Sequence, residues 1–164
     1  PTSGDFVRAW IAFIAASAQA ARAIRPQMRF QMAYDLPVYA TSDAWDPAAR
    51  SVPDLDGLTF PEMPWILHAG LLAPELWQVL HRDGSSGARS RLRLYAFGFD
   101  AYQLLRGLNI AARGVPVQGL TGRLVVAPDG RVSRELEWAR VQGGRPELAG
   151  ASQPLLPLAA PVGP

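Results

Sequence analysis

Two short apolar runs with an amphipathic segment between them set the strongest limit on how this chain folds. The run Ala9-Trp10-Ile11-Ala12-Phe13-Ile14-Ala15 is aromatic and β-branched and stops at Ala16-Ser17, the pattern of a buried strand. Ser17 then serves as a helix N-cap. Ala20, Ala21 and Ile24 share one helical face, Pro26 is expected to end or kink the helix, and Met28 continues the pattern. Leu36-Pro37-Val38-Tyr39-Ala40 follows as a second strand and ends in the polar Thr41-Ser42-Asp43. Strand, helix and strand so close together make a βαβ unit, with a right-handed crossover and a parallel sheet. The expected class is α/β, a Rossmann-like parallel sheet with flanking helices.

The rest of the chain is read against that unit. Asp46 to Asp56 is a loop, and Gly57-Leu58-Thr59-Phe60 is a short strand. It runs into Pro61-Glu62-Met63-Pro64-Trp65, whose two prolines argue against a regular ladder. Pro74 opens a helix, and Gly84-Ser85-Ser86-Gly87 is a flexible connection. Phe97, Ala101, Leu104, Leu105, Leu108, Ala111 and Ala112 recur as the apolar face of a longer helix, which Gly114 and Pro116 stop. A hairpin comes next, with Leu120, Leu124 and Val126 in one strand and Val132, Leu136 and Trp138 in its partner. Ala127-Pro128-Asp129-Gly130 makes its type I turn, and Gly143-Gly144 marks another turn. The expected organisation is one domain over residues 1–150, ending in β-hairpin structure, and a Pro-rich, poorly ordered tail over 151–164.

Residue types that are missing exclude much chemistry. There is no cysteine, hence no disulfide, thiolate nucleophile or Cys-bound zinc. All sixteen basic residues are arginine, so a Walker A lysine, a Schiff-base lysine and a Ser–Lys pair are excluded too. The net charge of +2 is scattered rather than gathered in a patch, which argues against nucleic acid. His68 and His81 lack the i, i+4 spacing of a helical metal pair and read as separate surface or interface residues. Asp54-Leu55-Asp56-Gly57 lacks the later ligands of a calcium loop and reads as an Asx-rich turn. Glu135 and Glu137 read as charges on the outer face of one strand, and no serine sits in a Gly-x-Ser-x-Gly elbow. No catalytic residue, metal or cofactor is expected.

Binding residues are easier to nominate. Ligands of open parallel sheets lie beyond the carboxyl ends of the strands, where Ser17, Thr41 and Ser42 fall. With Asp100 they are the candidates for a small-ligand cleft. Met63 and an exposed Trp65 in a rigid segment, together with the basic strip Arg89, Arg91 and Arg93, are the candidates for contact with a protein partner.

The order of several motifs carries a resemblance. Ala15-Ala16-Ser17-Ala18-Gln19-Ala20 and Ile24-Arg25-Pro26-Gln27 precede Asp35-Leu36-Pro37-Val38-Tyr39-Ala40-Thr41-Ser42. Asp54-Leu55-Asp56-Gly57-Leu58, Met63-Pro64-Trp65 and Leu94-Tyr95-Ala96-Phe97-Gly98-Phe99-Asp100-Ala101-Tyr102 follow. Gly119-Leu120-Thr121-Gly122 and Glu137-Trp138-Ala139 close the series. From about Asp5 to Glu147 the chain resembles the C-terminal region of the LppC/LpoA family of penicillin-binding protein activators.

The resemblance implies a partial type I periplasmic-binding-protein-like fold with two Rossmann-like lobes. The segments before Gly57 fall in one lobe, Met63-Pro64-Trp65 near the crossover, and the helix from Phe97 in the other. It implies a non-catalytic regulator that activates a class A penicillin-binding protein and so promotes peptidoglycan synthesis. The full-length protein would sit in the periplasm on the inner face of the outer membrane. The family's lipid-bearing cysteine, its N-terminal helical-repeat region and most of the first lobe have no counterpart in this sequence, and Arg8 interrupts the apolar opening strand. Self-association is one way such a piece would cover apolar surface. The competing reading is a solute-binding receptor for a small periplasmic ligand.

Overall fold

The computed structural model describes residues 11–31, 36–49, 51–68, 70–82, 91–107 and 114–150. The elements run β1 (Ala12–Ile14), α1 (Ala18–Phe30), β2 (Val38–Ala40), β3 (Leu58–Glu62), α2 (Pro64–Leu67), α3 (Pro74–Arg82) and α4 (Leu92–Arg106). The strands β4 (Val117–Gln118), β5 (Arg123–Val126), β6 (Val132–Glu135), β7 (Glu137–Gln142) and β8 (Arg145–Leu148) complete them. The tail 151–164, the Gly84–Gly87 connection and Arg89 lie outside the described residues.

The βαβ unit forms as its pattern predicts. β1 and β2 pair in parallel with Ala12 opposite Val38 and Ile14 opposite Ala40, and the Ser17 hydroxyl accepts a hydrogen bond from Ala20 N at 3.4 Å. Pro26 lies inside α1 on its solvent side and does not end it. The buried stripe is Ala21, Arg25 and the half-buried Met28, whereas Ala20 and Ile24 face outward. The small Ala21 lets the helix sit close to the sheet, which fixes the residues one and two turns further on as the inward ones.

β3 joins in parallel beside β2, with Val38 opposite Leu58, and the described residues between them include the 3-10 turns Ser42–Ala44 and Pro53–Leu55. Contrary to the sequence expectation, Pro61 lies within β3, opposite Trp138 of β7. The β2 ladder has already ended at Tyr39 opposite Thr59, so the missing N–H breaks no bond on that side. The five-stranded sheet has the order β1-β2-β3-β7-β8, its last two strands antiparallel. Its inner face (Ile14, Val38, Ala40, Leu58, Phe60, Ala139, Val141) is buried with Trp45, Val52 and Leu55. Trp45 stacks on Phe60 at 5.8 Å and 18°. The other face is open: Phe13 is 64% and Trp138 48% exposed, and Tyr39 meets Trp138 edge-on at 6.0 Å.

A second core gathers Met63, Trp65, Leu72, Leu92, Ala96 and Leu120 among α2, α4 and the ends of the smaller sheet β4-β5-β6. The stripe α4 buries is Leu92, Ala96 and Asp100, at i, i+4 and i+8, with Phe99 packed alongside. The anticipated face of Phe97, Ala101 and Leu105 points to solvent instead, and Leu108, Ala111 and Ala112 lie outside the described residues. Apolar periodicity alone favoured the wrong side because Asp100, a charged residue, belongs to the buried one.

The hairpin is also redrawn. Gly130 N donates to the Ala127 carbonyl at 2.9 Å and closes the anticipated turn between β5 and β6. Leu120 lies before β5, and at Leu136 the chain leaves the small sheet to begin β7 in the large one. Glu135 and Glu137 therefore belong to different sheets and do not share a strand face.

The turn joining β7 to β8 is held against the loop before β3. Val52 N donates to the Gly144 carbonyl, and Gly144 N donates to Asp56 Oδ1, both at 2.7 Å. Gly143 and Gly144 have φ of +56° and +75°. A Cβ on Gly144 would stand 2.3 Å from Ser51 Oγ and 2.9 Å from Pro53 N, while nothing lies within 4 Å of one on Gly143. Gly144→Ala should therefore destabilise the fold by at least about 1–3 kcal/mol, and Gly143→Asn by a few tenths. Urea unfolding midpoints of the two variants check the contrast.

Candidate functional site

The two cores meet where the chain crosses between them twice, at the ends of β3 and β6. There Glu62 and Glu137 stand directly opposite each other as the last pair of the β3–β7 ladder. Two carboxylates side by side repel unless each is matched. Glu62, 1% exposed, is matched by Arg93 of α4: its Oε2 accepts from Arg93 Nη2 at 2.6 Å and its Oε1 from Arg93 Nε at 3.2 Å. Oε1 also accepts from Met63 N at 2.9 Å. Glu137 is matched by His68 at the end of α2, with Nε2 to Oε2 at 2.8 Å. Both partners come from the α2–α4 side.

Arg93 does more than neutralise Glu62. Its Nη2 also donates to the carbonyls of Ser42 at 2.8 Å and Trp45 at 3.0 Å, just beyond the carboxyl end of β2. Two separately nominated groups thus converge: Arg93 of the basic strip and Ser42 of the candidate cleft. Ser17 and Thr41 lie at the same edge, where Thr41 N donates to the Ile14 carbonyl at 3.3 Å. The position beyond the strands where a small ligand is expected is held by the chain's own guanidinium.

The remaining nominees fall elsewhere. Asp100 is not a cleft residue; it is buried, its carboxylate accepting from Leu120 N at 2.7 Å, Thr121 N at 2.8 Å and Thr121 Oγ1 at 2.6 Å. That carboxylate ties α4 to the turn before β5. Trp65 is fully enclosed, edge-on to Trp77 at 5.3 Å, and Met63 is buried beside it, so neither ring nor thioether is exposed to a partner. Of the strip, Arg91 is the exposed N-cap of α4 and Arg93 lies within the helix and turns inward, while Arg89 lies outside the described residues. His68 is hydrogen-bonded to Glu137 rather than isolated. His81 stacks on Trp77, and its Nδ1–H donates to the Trp77 carbonyl at 2.8 Å. Among the described residues, no group of three His, Asp or Glu side chains could hold a metal ion.

Sequence reasoning missed Glu62, although a signal was present. Along Leu58-Thr59-Phe60-Pro61-Glu62, strand alternation puts Glu62 on the core face with Leu58 and Phe60. A carboxylate in that position requires a cation.

The solved structures place this architecture. The C-domain of LpoA from Haemophilus influenzae, described as a regulator of PBP1A, superposes with a TM-score of 0.67 at 22% identity, covering 84% of this chain and 44% of that one. A Rhodospirillum rubrum protein assigned to branched-chain amino acid ABC transport superposes with a TM-score of 0.63 at 18% identity, over 85% of this chain and 44% of its own. The fold is thus α/β, a partial type I periplasmic-binding-protein-like architecture.

Residues 8–144 match the LppC lipoprotein family model, and the chain belongs to the LppC family. Relatives include the penicillin-binding protein activator LpoA of Mannheimia succiniciproducens, 33% identical over 92 residues, or 55% of this chain and 15% of that protein. LpoA of Photobacterium profundum is 32% identical over 104 residues, or 62% and 16%. The chain therefore spans only about one sixth of the length of these relatives.

Removal of Arg93 tests the crossover. Arg93→Met leaves Glu62 buried without its cation and two carbonyls without a donor, and should cost about 3–5 kcal/mol. The double variant Glu62→Leu/Arg93→Met, with no uncompensated charge, should recover most of that loss in urea unfolding.

Proposed function

We propose that this chain is the protein-contact module of a non-catalytic regulator that binds a class A penicillin-binding protein and promotes peptidoglycan synthesis. The observation that carries the reading is membership of the LppC family, whose relatives are named penicillin-binding protein activators. By the same reading the protein works in the periplasm, and in its full length it is held by a lipid anchor at the inner face of the outer membrane. Activation needs no catalytic group here. A regulator that binds an active state of the synthase more tightly than a resting one shifts the population toward activity by that difference in affinity.

The surface supports contact with protein. The open face of the large sheet carries Phe13 and Trp138, and the outward side of α4 carries Leu94, Phe97, Tyr102 and Leu105. These are large apolar groups without a described covering. A solute receptor needs convergent polar groups in an open cleft. Here Asp100 is committed to Leu120 and Thr121, and Arg93 covers the Ser42 edge. These commitments favour the regulator over the receptor.

Calorimetric titration of the chain into the periplasmic part of a class A penicillin-binding protein is the direct test. Saturable binding is expected. Phe97→Asp or Trp138→Asp, each on a solvent-facing position, should weaken it about tenfold or more, and whichever does so identifies the face in use. Absence of binding by the folded chain, or undiminished binding by both variants, would overturn the reading.

A further inference from the structure

At the opposite end of the sheet from the crossover, where the chain enters β3, three arginines gather around the turn Asp56–Gly57. Arg25, on the inner stripe of α1, is only 4% exposed, and its Nε and Nη1 are enclosed with no hydrogen-bond acceptor. Gly57, at φ +80°, marks where its fork points: a Cβ there would stand 2.9 Å from Arg25 Nη2 and 3.9 Å from Arg140 Nη2. The guanidinium groups of α1 and β7 thus converge on one backbone position that carries no side chain. Arg29, one helical turn beyond Arg25, donates through Nη2 to the Asp56 carbonyl.

No carboxylate among the described residues answers these charges. The described ion pairs engage Arg22 with Asp54, Arg93 with Glu62, Arg123 with Glu135 and Arg131 with Asp129, and Glu137 is hydrogen-bonded to His68. The Asp56 carboxylate is turned toward Gly144 N. Burial lowers the pKa of Arg25, and the like charges of Arg29 and Arg140 push it the same way. A lysine so placed could shed its proton, but a guanidinium stays charged at neutral pH. A buried cation that cannot neutralise itself and has unused N–H donors calls for an anion.

We propose that Arg25, Arg29 and Arg140 form a binding site for an oxyanion, either a phosphate or a carboxylate group, held where the three guanidinium groups gather beside Gly57. Forked guanidinium donors match the paired oxygens of both groups, and the missing side chain at Gly57 is what lets Arg25 Nη2 come against the backbone next to Arg140. The site is separate from the crossover and does not rest on the partner reading above.

Thermal unfolding of the 164-residue chain in chloride buffer tests the site, with inorganic phosphate and acetate added in parallel against sodium chloride of equal ionic strength. Phosphate at ten times its dissociation constant should raise Tm by roughly 3–6 °C beyond the chloride control. A rise with phosphate alone indicates a phosphoryl ligand, and a rise with both anions a site that also takes carboxylates. Arg140→Gln, on an exposed side chain, should remove most of the rise. Arg25→Met should remove all of it, the rise being read against that variant's own Tm in chloride. A rise no greater than that with chloride, or one equal in the parent and both variants, would overturn the site.

Discussion

The pairing of Arg93 with Glu62 is the contact on which the two halves of this molecule depend. A carboxylate on the core face of a sheet is expensive to bury, and nothing within the sheet neutralises it. The cation comes from a helix that belongs to the other core. Once in place, the same guanidinium satisfies the carbonyls that follow β2. The position of α4 is thereby set by charge and hydrogen bonding at one end. At the other it is set by the Asp100 carboxylate, which gathers the donors of Leu120 and Thr121. Two buried acids thus orient a helix whose apolar contact is confined to a narrow stripe.

These commitments also show what the ends of the strands are used for in this binding-protein-like fold. Residues suited in type to hold a small polar ligand are present at the carboxyl ends of the strands. Their neighbourhood is put to internal use, with Arg93 donating to the carbonyls of Ser42 and Trp45. What the fold offers outward is apolar and aromatic, on the bare face of the sheet and along α4. Such a surface suits recognition of another folded surface better than enclosure of a small molecule.

Local pattern made the first half of the chain legible and the second half less so. The βαβ unit follows from short apolar runs, a serine cap and polar strand ends, all of which act within a few residues. The turns at Ala127–Gly130 and Gly143–Gly144 were equally readable, because turn chemistry is local. The buried side of α4 was not, since it is chosen by what Asp100 and Ala96 meet far along the chain. The same applies to the change of sheet at Leu136, which no periodicity announces. Trp65 shows the limit for site residues: a large amphipathic ring beside two prolines suits a surface or a core equally, and packing against Trp77 decides. Arg25 lay on the helical stripe with Ala21 and Met28, and its charge concealed that it belonged there.

The pairing of β3 with β7 joins residues as distant as Thr59 and Arg140. Contacts of such sequence separation form slowly, because the chain between them must first be brought back on itself. While the protein is being synthesised, β3 can dock on β2 long before its other neighbour has left the ribosome. Throughout that interval its free edge is a template for the wrong strand. Pro61 stands opposite Trp138, whose carbonyl accepts from Ala149 N on its far side, so this pair exchanges no hydrogen bonds and the missing N–H costs the late-forming ladder nothing. The proline that looked like an interruption of the strand sits where neither neighbour asks it for a donor.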